Sequence, residues 1–417
     1  MLVSMTMASM QSYLHLWRRL VPAYAAGYFL SYGLRSVNAV IAPELIRDLG
    51  ITSADMGLLT SAYFLAFGLF QLPLGLLLDR FGPRRVEAAL LLLAAAGCAL
   101  FGAGQTLTTL VLARALIGLG VSSCLMASFK AFSQWFPVER LPSLTATIMV
   151  AGGLGALSAS VPVEAALPLL GWRGMFYLCA ALLVASAGFL MTVPDRSALA
   201  HSEPLGQQVR TMLGIFGKRV FWRFAPQGCL SSGGFMAVQG LWAVPWLMEV
   251  NGAARADAAG VLFLLGLAML SGFIFVATCS RWLSRNGVAP MTLLTLGIGI
   301  GLLVEAAIIA DLARPAWLWP MLGLSFSLSN IAYSQLSAEF PVELSGRVNT
   351  ALNLMVFVGA FGLQWGIGAL VDGLTLGGVA RTQAFRITFS VLLVLQALAF
   401  GWFLRRPAPQ ARSSASQ

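Results

Sequence analysis

Charge is what this chain has least of. Asp, Glu, Lys and Arg make up 10% of its 417 residues, against roughly a quarter in a soluble domain, which excludes a protein surrounded by water. Histidine is nearly missing: His15 and His201 are the only two, and both stand outside the apolar runs, so a metal-dependent membrane enzyme has no ligand set. Five cysteines (Cys98, Cys124, Cys179, Cys229 and Cys279) fall singly in separate apolar runs and form neither a disulfide framework nor a metal spacing. No Walker-type phosphate loop occurs, which excludes direct drive by ATP. The opening MLVSMTMASMQSYLHLWRRL has no apolar core ahead of a small-residue cleavage site and is not read as a signal peptide.

What fills the chain instead is apolar: 58% of the residues are hydrophobic. A hydrocarbon core needs roughly 20 such residues per helical crossing. Twelve runs of that kind occur, at about 20–42, 54–77, 86–106, 108–132, 143–166, 172–193, 221–247, 257–278, 289–310, 316–337, 347–370 and 384–404. In lipid they must be helices, because an open sheet would leave backbone groups unsatisfied. With both termini in the cytoplasm, 17 of the 26 Lys and Arg residues lie on that side, seven lie outside, and Arg35 and Lys130 fall within spans. That is the positive-inside asymmetry, and it predicts a multi-pass protein of the bacterial cytoplasmic (inner) membrane. The net charge of +10 reports topology and attraction to anionic lipid, without the aromatic-interleaved basic stripe of a nucleic-acid binder.

The tetrapeptide FPVE occurs at Phe136–Glu139 and at Phe340–Glu343, after the fourth and tenth spans. Proline cannot continue a helix, so each copy ends a span at the cytoplasmic face. The matching positions predict parallel repeats: an amino-terminal six-helix bundle over 1–193, a cytoplasmic linker over 194–220, a carboxy-terminal six-helix bundle over 221–404 and a tail over 405–417.

The loop after span two reads GLLLDRFGPRR, with Gly75, Leu77, Asp79, Arg80, Gly82, Arg84 and Arg85 in a fixed order; CSRWLSRNG after span eight is a degraded second copy with Ser280 where the aspartate would stand. In this loop the sequence resembles the major facilitator superfamily, as it also does in RALIGLG (Arg114 to Gly120) and GWRGMF at the start of span six. The resemblance runs from about 20 to 404. It implies an all-α membrane protein of 12 transmembrane helices in two pseudo-symmetric bundles, a monomeric secondary transporter working by alternating access without a cofactor. In physical terms, Asp79 ends span two where it can meet the positive N-terminus of span eleven near Arg347 to Thr350. Arg80, Arg84 and Arg85 can pair with Glu139 or Glu343, forming a cytoplasmic latch. Small residues in Ala151–Ser160 and Gly362–Gly368 allow close packing at the seam that the resemblance places there.

Ionised side chains at bilayer depth mark function. Arg35 shares a helical face with Ser31 and Asn38, and its planar guanidinium suits a carboxylate or phosphate; the alternatives are a pair with an acid such as Glu164 or packing on an aromatic. Lys130 is the second intramembrane cation, or snorkels to the cytoplasmic surface. Facing them are a stripe in span seven of Gln227, Ser231, Gln239, Trp242 and Trp246, then Ser325, Ser329 and Tyr333 in span ten, and Asn349, Asn353 and Gln364 in span eleven. The expected cavity is cationic on one wall, and aromatic and hydrogen-bonding on the other. It suits a small organic anion. WFPVER together with an arginine in span one also resembles the organic-anion branches of the superfamily. The alternative is an exporter of amphipathic drugs or metabolites using Trp242 and Trp246, although the GPxxGG pattern of drug–proton antiporters is absent from span five. Glu164 and Glu305 are the only acids read as lying well inside spans, and they are the candidates for a coupling proton.

Overall fold

In the computed structural model the described residues are 7–136, 141–194, 205–341 and 344–405. Among them the regular structure is helical throughout, with no strand. Among the described residues eight segments are long and apolar enough to cross a membrane, and Leu107–Trp135 is one of them despite a break within it. The remaining crossings are helices interrupted part-way, and together they reproduce the expected run pattern.

The interruptions are not scattered. Span one is Met7–Ser36 followed by Asn38–Leu49, with a break at Val37. Span four is Leu107–Val121 and Cys124–Trp135, broken at Ser122–Ser123. Span seven runs from Arg219 to Glu249 through two π-helical turns, Gly228–Ser232 and Val238–Trp242. Span ten is Pro315–Ser329 and Ile331–Ser337, broken at Asn330. These are the first and fourth spans of each half, and span five of the amino-terminal half is broken as well, at Ala159–Ser160. A π turn or broken helix at membrane depth frees backbone groups, and is tolerated only where protein or a watery cavity receives them. Spans two, three, nine, eleven and twelve are continuous: Ser53–Phe81, Pro83–Ala103, Pro290–Ile309, Ser345–Leu376 and Arg381–Leu404. Span eight is Arg255–Arg285. Span five is Leu141–Ser158 and, after the break, the first part of Val161–Met191; Gly171, whose φ of 63° suits glycine, turns the chain within that segment into span six.

The glycine of the signature loop has a backbone reason. Gly82 closes span two with φ 80° and hands the chain to Pro83 at the first position of span three. A left-handed φ followed at once by a proline-started helix gives a hairpin with almost no loop. The carboxy-terminal half has a looser version of this joint: span eight ends at Arg285, Gly287 has φ 83°, and span nine starts at Pro290 three residues later.

Spans two and eleven carry the contact between the halves. Gly57 lies against the Gln364 carbonyl and Gly368 against that of Ser53, so close that a Cβ on either glycine would overlap backbone. The small-residue expectation therefore holds for Gly368, while Gly362 and Gly366 face open space. In span five, Gly153 meets Leu270 of span eight and Gly155 meets the Phe29 carbonyl of span one.

Candidate functional site

Arg35 stands two residues before the break in span one and is half-buried. Its guanidinium carbon lies 4.4 Å from the ring centre of Tyr32, 5.3 Å from Phe67 and 5.7 Å from Phe357. The cage thus draws on spans one, two and eleven, and Phe67 and Phe357 touch each other across the two halves at 4.5 Å. Aromatic faces attract a cation electrostatically, yet they do not neutralise it. Among the described residues no carboxylate pairs with Arg35, and its Nε is buried without a hydrogen-bond partner. The polar groups acting on it are the phenols of Tyr32, Tyr63 and Tyr28. Tyr63 is itself held by donating to the Ser31 carbonyl at 3.1 Å.

The opposite wall comes from the other half. Tyr333 of span ten donates to Asn353 Oδ1 of span eleven at 2.9 Å, and Tyr333 is near enough to feel both Arg35 and Tyr32. Asn353 and Phe357 are four residues apart and share a helical face, so the hydrogen-bonding pair continues the aromatic cage. Two turns further along, Gln364 is fully buried with neither Oε1 nor Nε2 satisfied. Its Oε1 faces Gly240, which also adjoins the Arg35 carbonyl. An unmet carboxamide in such a place costs about 1–3 kcal/mol, so groups of this kind normally find water or a ligand.

Other expected residues lie differently. Asn38 donates to Thr60 Oγ1 at 2.8 Å inside the amino-terminal half and is fully buried, so it braces the second segment of span one against span two. Gln239 reaches only the Met269 sulfur, at 3.9 Å. Ser329 turns back to the Ser325 carbonyl of its own helix. Lys130 is half-buried on the last helical segment of span four. The aromatic wall of Trp242 and Trp246 needs correction. Trp242 is 2% exposed, donates to the Gln364 carbonyl at 3.0 Å and meets Phe385 edge-on; Trp246 is fully buried against Phe389. Each π turn adds a residue to the helix and rotates everything after it by about 100°. Two such turns take the tryptophans off the face predicted for a straight helix and into the packing against span twelve.

The two candidate acids sit in different surroundings. Glu164 faces Arg255 at the start of span eight, with Nε–Oε2 at 2.8 Å, and the same guanidinium pairs with Glu44 at the end of span one. It is thus an ion-pair residue between the halves, on the face opposite the termini. Glu305 is buried, beside Gln396 and Ser325 in a cavity of about 40 Å³ inside the carboxy-terminal half. Of the predicted latch, Glu139, Glu343 and the Asp79 side chain lie outside the described residues. Arg80 is exposed, with its guanidinium near the Phe81 ring. Arg84 donates to the carbonyls of Val193 and Met191, capping span six within its own half. Arg85 is exposed and Arg347 half-buried.

The profile of the Major Facilitator Superfamily matches residues 24–362. The chain belongs to that superfamily. Two curated relatives of this major facilitator come from Escherichia coli strain K12. A probable L-galactonate transporter is 23% identical over 92% of this chain and 88% of its own length, and a hexuronate transporter is 23% identical over 89% of each. Among solved structures, a bacterial homologue of the human lysosomal transporter spinster, inward-facing and occupied, superposes with a TM-score of 0.73 at 16% identity, over 94% of this chain and 96% of that one. The family is one of transporters, not of enzymes, and the fold is the two-bundle arrangement that the halves of the sequence predicted.

Two buried ionisable residues of this major facilitator were not singled out as buried charges in the sequence. Arg114 donates to the Leu34 carbonyl at 3.0 Å and lies over the rings of Tyr63 and Phe101, tying span four to the turn that carries Arg35. Glu87 is fully buried, although its place one turn into span three reads as the polar edge of a helix. The available signal was Gly27, which leaves space in span one for the carboxyl.

Proposed function

We propose that the chain is a secondary transporter that moves a small organic anion across the bacterial cytoplasmic membrane by alternating access. The anion would be anchored by Arg35 between the halves. The observation that carries this reading is an Arg35 guanidinium with no acid partner among the described residues, facing the Tyr333–Asn353 pair of the other half. A carboxylate entering that space replaces water with a planar fork of donors. Tyr333, Asn353 and the unsatisfied Gln364 amide can take the hydroxyls of a polyhydroxylated acid. The relatives named for L-galactonate and hexuronate support the same substrate class.

On the face opposite the termini, Arg255 joins Glu44 and Glu164, the Ala54 amide donates to Asp372 at 2.6 Å, and Arg381 donates to Ser53 at 3.1 Å. This reading takes them as the closed outer gate of a state that loads from the cytoplasmic side. Burial of Trp242 and Trp246 removes the surface on which an amphipathic exporter would rely. The test is a thermal-shift panel on purified protein with L-galactonate, a hexuronate, tartrate, inorganic phosphate and an amphipathic cation. A sugar acid should stabilise the protein, and Arg35→Ala should abolish the effect; stabilisation by the cation alone would overturn the reading.

A further inference from the structure

Glu87 is the ionisable group in this molecule with the least explanation. Its side chain is fully buried and neither carboxyl oxygen has a hydrogen-bond partner of ordinary geometry. It sits on the second turn of span three, about 6 Å above the Pro83 start of the helix by the rise per residue. The carboxyl points at Gly27 of span one, where an added Cβ would come within 2.5 Å of Oε1, and the Cys124 sulfur of span four converges on the same spot. Cys124 is the one side chain within reach to hydrogen-bond it.

Among the described residues no cation pairs with Glu87 at ion-pair distance. Span one presents Gly27 and Tyr28. Span four presents Cys124, carries the half-buried Lys130 six residues nearer the end of the span, and holds Arg114 further out, where it donates to the Leu34 carbonyl and lies over two aromatic rings. The last two turns of span six, Leu183 to Met191, contain no ionisable residue. On its own helix Arg85 is exposed, and Arg84 donates to the end of span six. Span two brings Tyr63 higher up, and Asp79 and Arg80 only at the loop. An unpaired carboxylate in such a place is far more expensive than a neutral acid, and one proton from the nearby membrane face removes the cost.

The position is also connected. Cys124 is close enough to feel both Glu87 and Arg35, and Tyr28 feels both Cys124 and Arg35. Tyr28 contacts Tyr32 edge-on at 5.1 Å, and Tyr32 carries the Arg35 guanidinium on its face. The Cys124 thiol and the phenols of Tyr28 and Tyr32 are thus the polar groups lying between Glu87 and the anion site.

We infer that Glu87 is a proton-binding site of the amino-terminal half, exchanging H+ with the face that bears the termini, and that its occupancy is linked to Arg35. The link rests on the reading of Arg35 as the anion anchor. Its sign follows from Coulomb's law: the Arg35 charge opposes protonation of Glu87, and an anion bound to Arg35 cancels that charge. Proton and anion then favour each other's binding by the same factor, which is the thermodynamic requirement for carrying both in one direction.

The experiment is infrared pH titration of the full-length protein in lipid nanodiscs, following the carbonyl stretch of a protonated carboxylic acid. A component of that band should be present at neutral pH, titrate out at higher pH and be lost in Glu87→Gln while it persists in Glu305→Gln. Glu87→Asp should retain an acid band with a shifted frequency if the glutamine variant does not fold. Arg35→Ala should raise the titration midpoint by about one pH unit. L-galactonate should raise it in the wild type and not in Arg35→Ala. A spectrum indifferent to Glu87→Gln overturns the proton site, and a midpoint indifferent to Arg35→Ala overturns the link. A midpoint that responds to Arg35→Ala but to none of L-galactonate, a hexuronate or tartrate upholds the proton site and its link while removing the anion reading.

Discussion

Asp372, near the end of span eleven, accepts a 2.6 Å hydrogen bond from the backbone amide of Ala54 in the first turn of span two. The same helix start is capped within its own half, where Thr52 and Asp55 exchange side-chain and backbone bonds. One helix N-terminus is therefore completed jointly by both halves. Its exposed amides and positive end favour a carboxylate. The arrangement inverts the contact that the sequence predicts at the other face, where Asp79 of span two would meet the N-terminus of span eleven.

Loss of that carboxylate should loosen the outer face. Asp372→Asn keeps the shape but weakens a charge-assisted bond by about 1 kcal/mol. A Ser53→Cys reporter, almost fully buried in the wild-type contact, should then be alkylated several-fold faster by a membrane-impermeant maleimide. An unchanged rate would mean that Asp372 does not hold the halves together.

Arg255 is predicted to matter more than either of its acids. Arg255→Ala leaves Glu44 and Glu164 facing one another without a cation, at a site where their side chains are 13% and 17% exposed. Breaking such a pair costs about 3–5 kcal/mol when fully buried and less when partly wet. Arg255→Ala should therefore lower Tm by more than Glu164→Gln does, and adding Glu44→Gln and Glu164→Gln to Arg255→Ala should recover part of the loss. Equal effects of the single changes would argue against a shared guanidinium.

Trp246→Ala should destabilise by about 3–5 kcal/mol, because it empties a fully enclosed site against Phe389. Trp242→Phe should cost less, removing mainly the bond to the Gln364 carbonyl. Trp242→Phe should leave the affinity for the stabilising anion within about two-fold, a difference of roughly 0.4 kcal/mol. A large loss of affinity on that change would return the tryptophans to the binding wall.

Much of this was legible from residue order. Twelve apolar runs, the positive-inside bias and the GLLLDRFGPRR loop lead to the fold because lipid leaves the backbone so few options. Arg35 stood out because a cation at that depth is conspicuous in any sequence. Tyr32, Phe67 and Phe357 did not, since an aromatic in an apolar run carries no sign of what it faces. The span-seven stripe misled because π turns leave no simple trace in sequence, and each one shifts the helical phase. Glu87 was hidden by its nearness to a helix end, where a glutamate ordinarily reaches water.

The central claim is that the charge of Arg35 is completed by the transported solute. The direct measurement is counterflow in proteoliposomes, using the organic acid that gives the largest thermal shift, compared among wild type, Arg35→Lys and Arg35→Ala. The account predicts loss of exchange in Arg35→Ala and a drop of at least ten-fold in Arg35→Lys, because an ammonium lacks the planar fork, while Trp242→Phe retains exchange. Exchange by Arg35→Ala at the wild-type rate would contradict it.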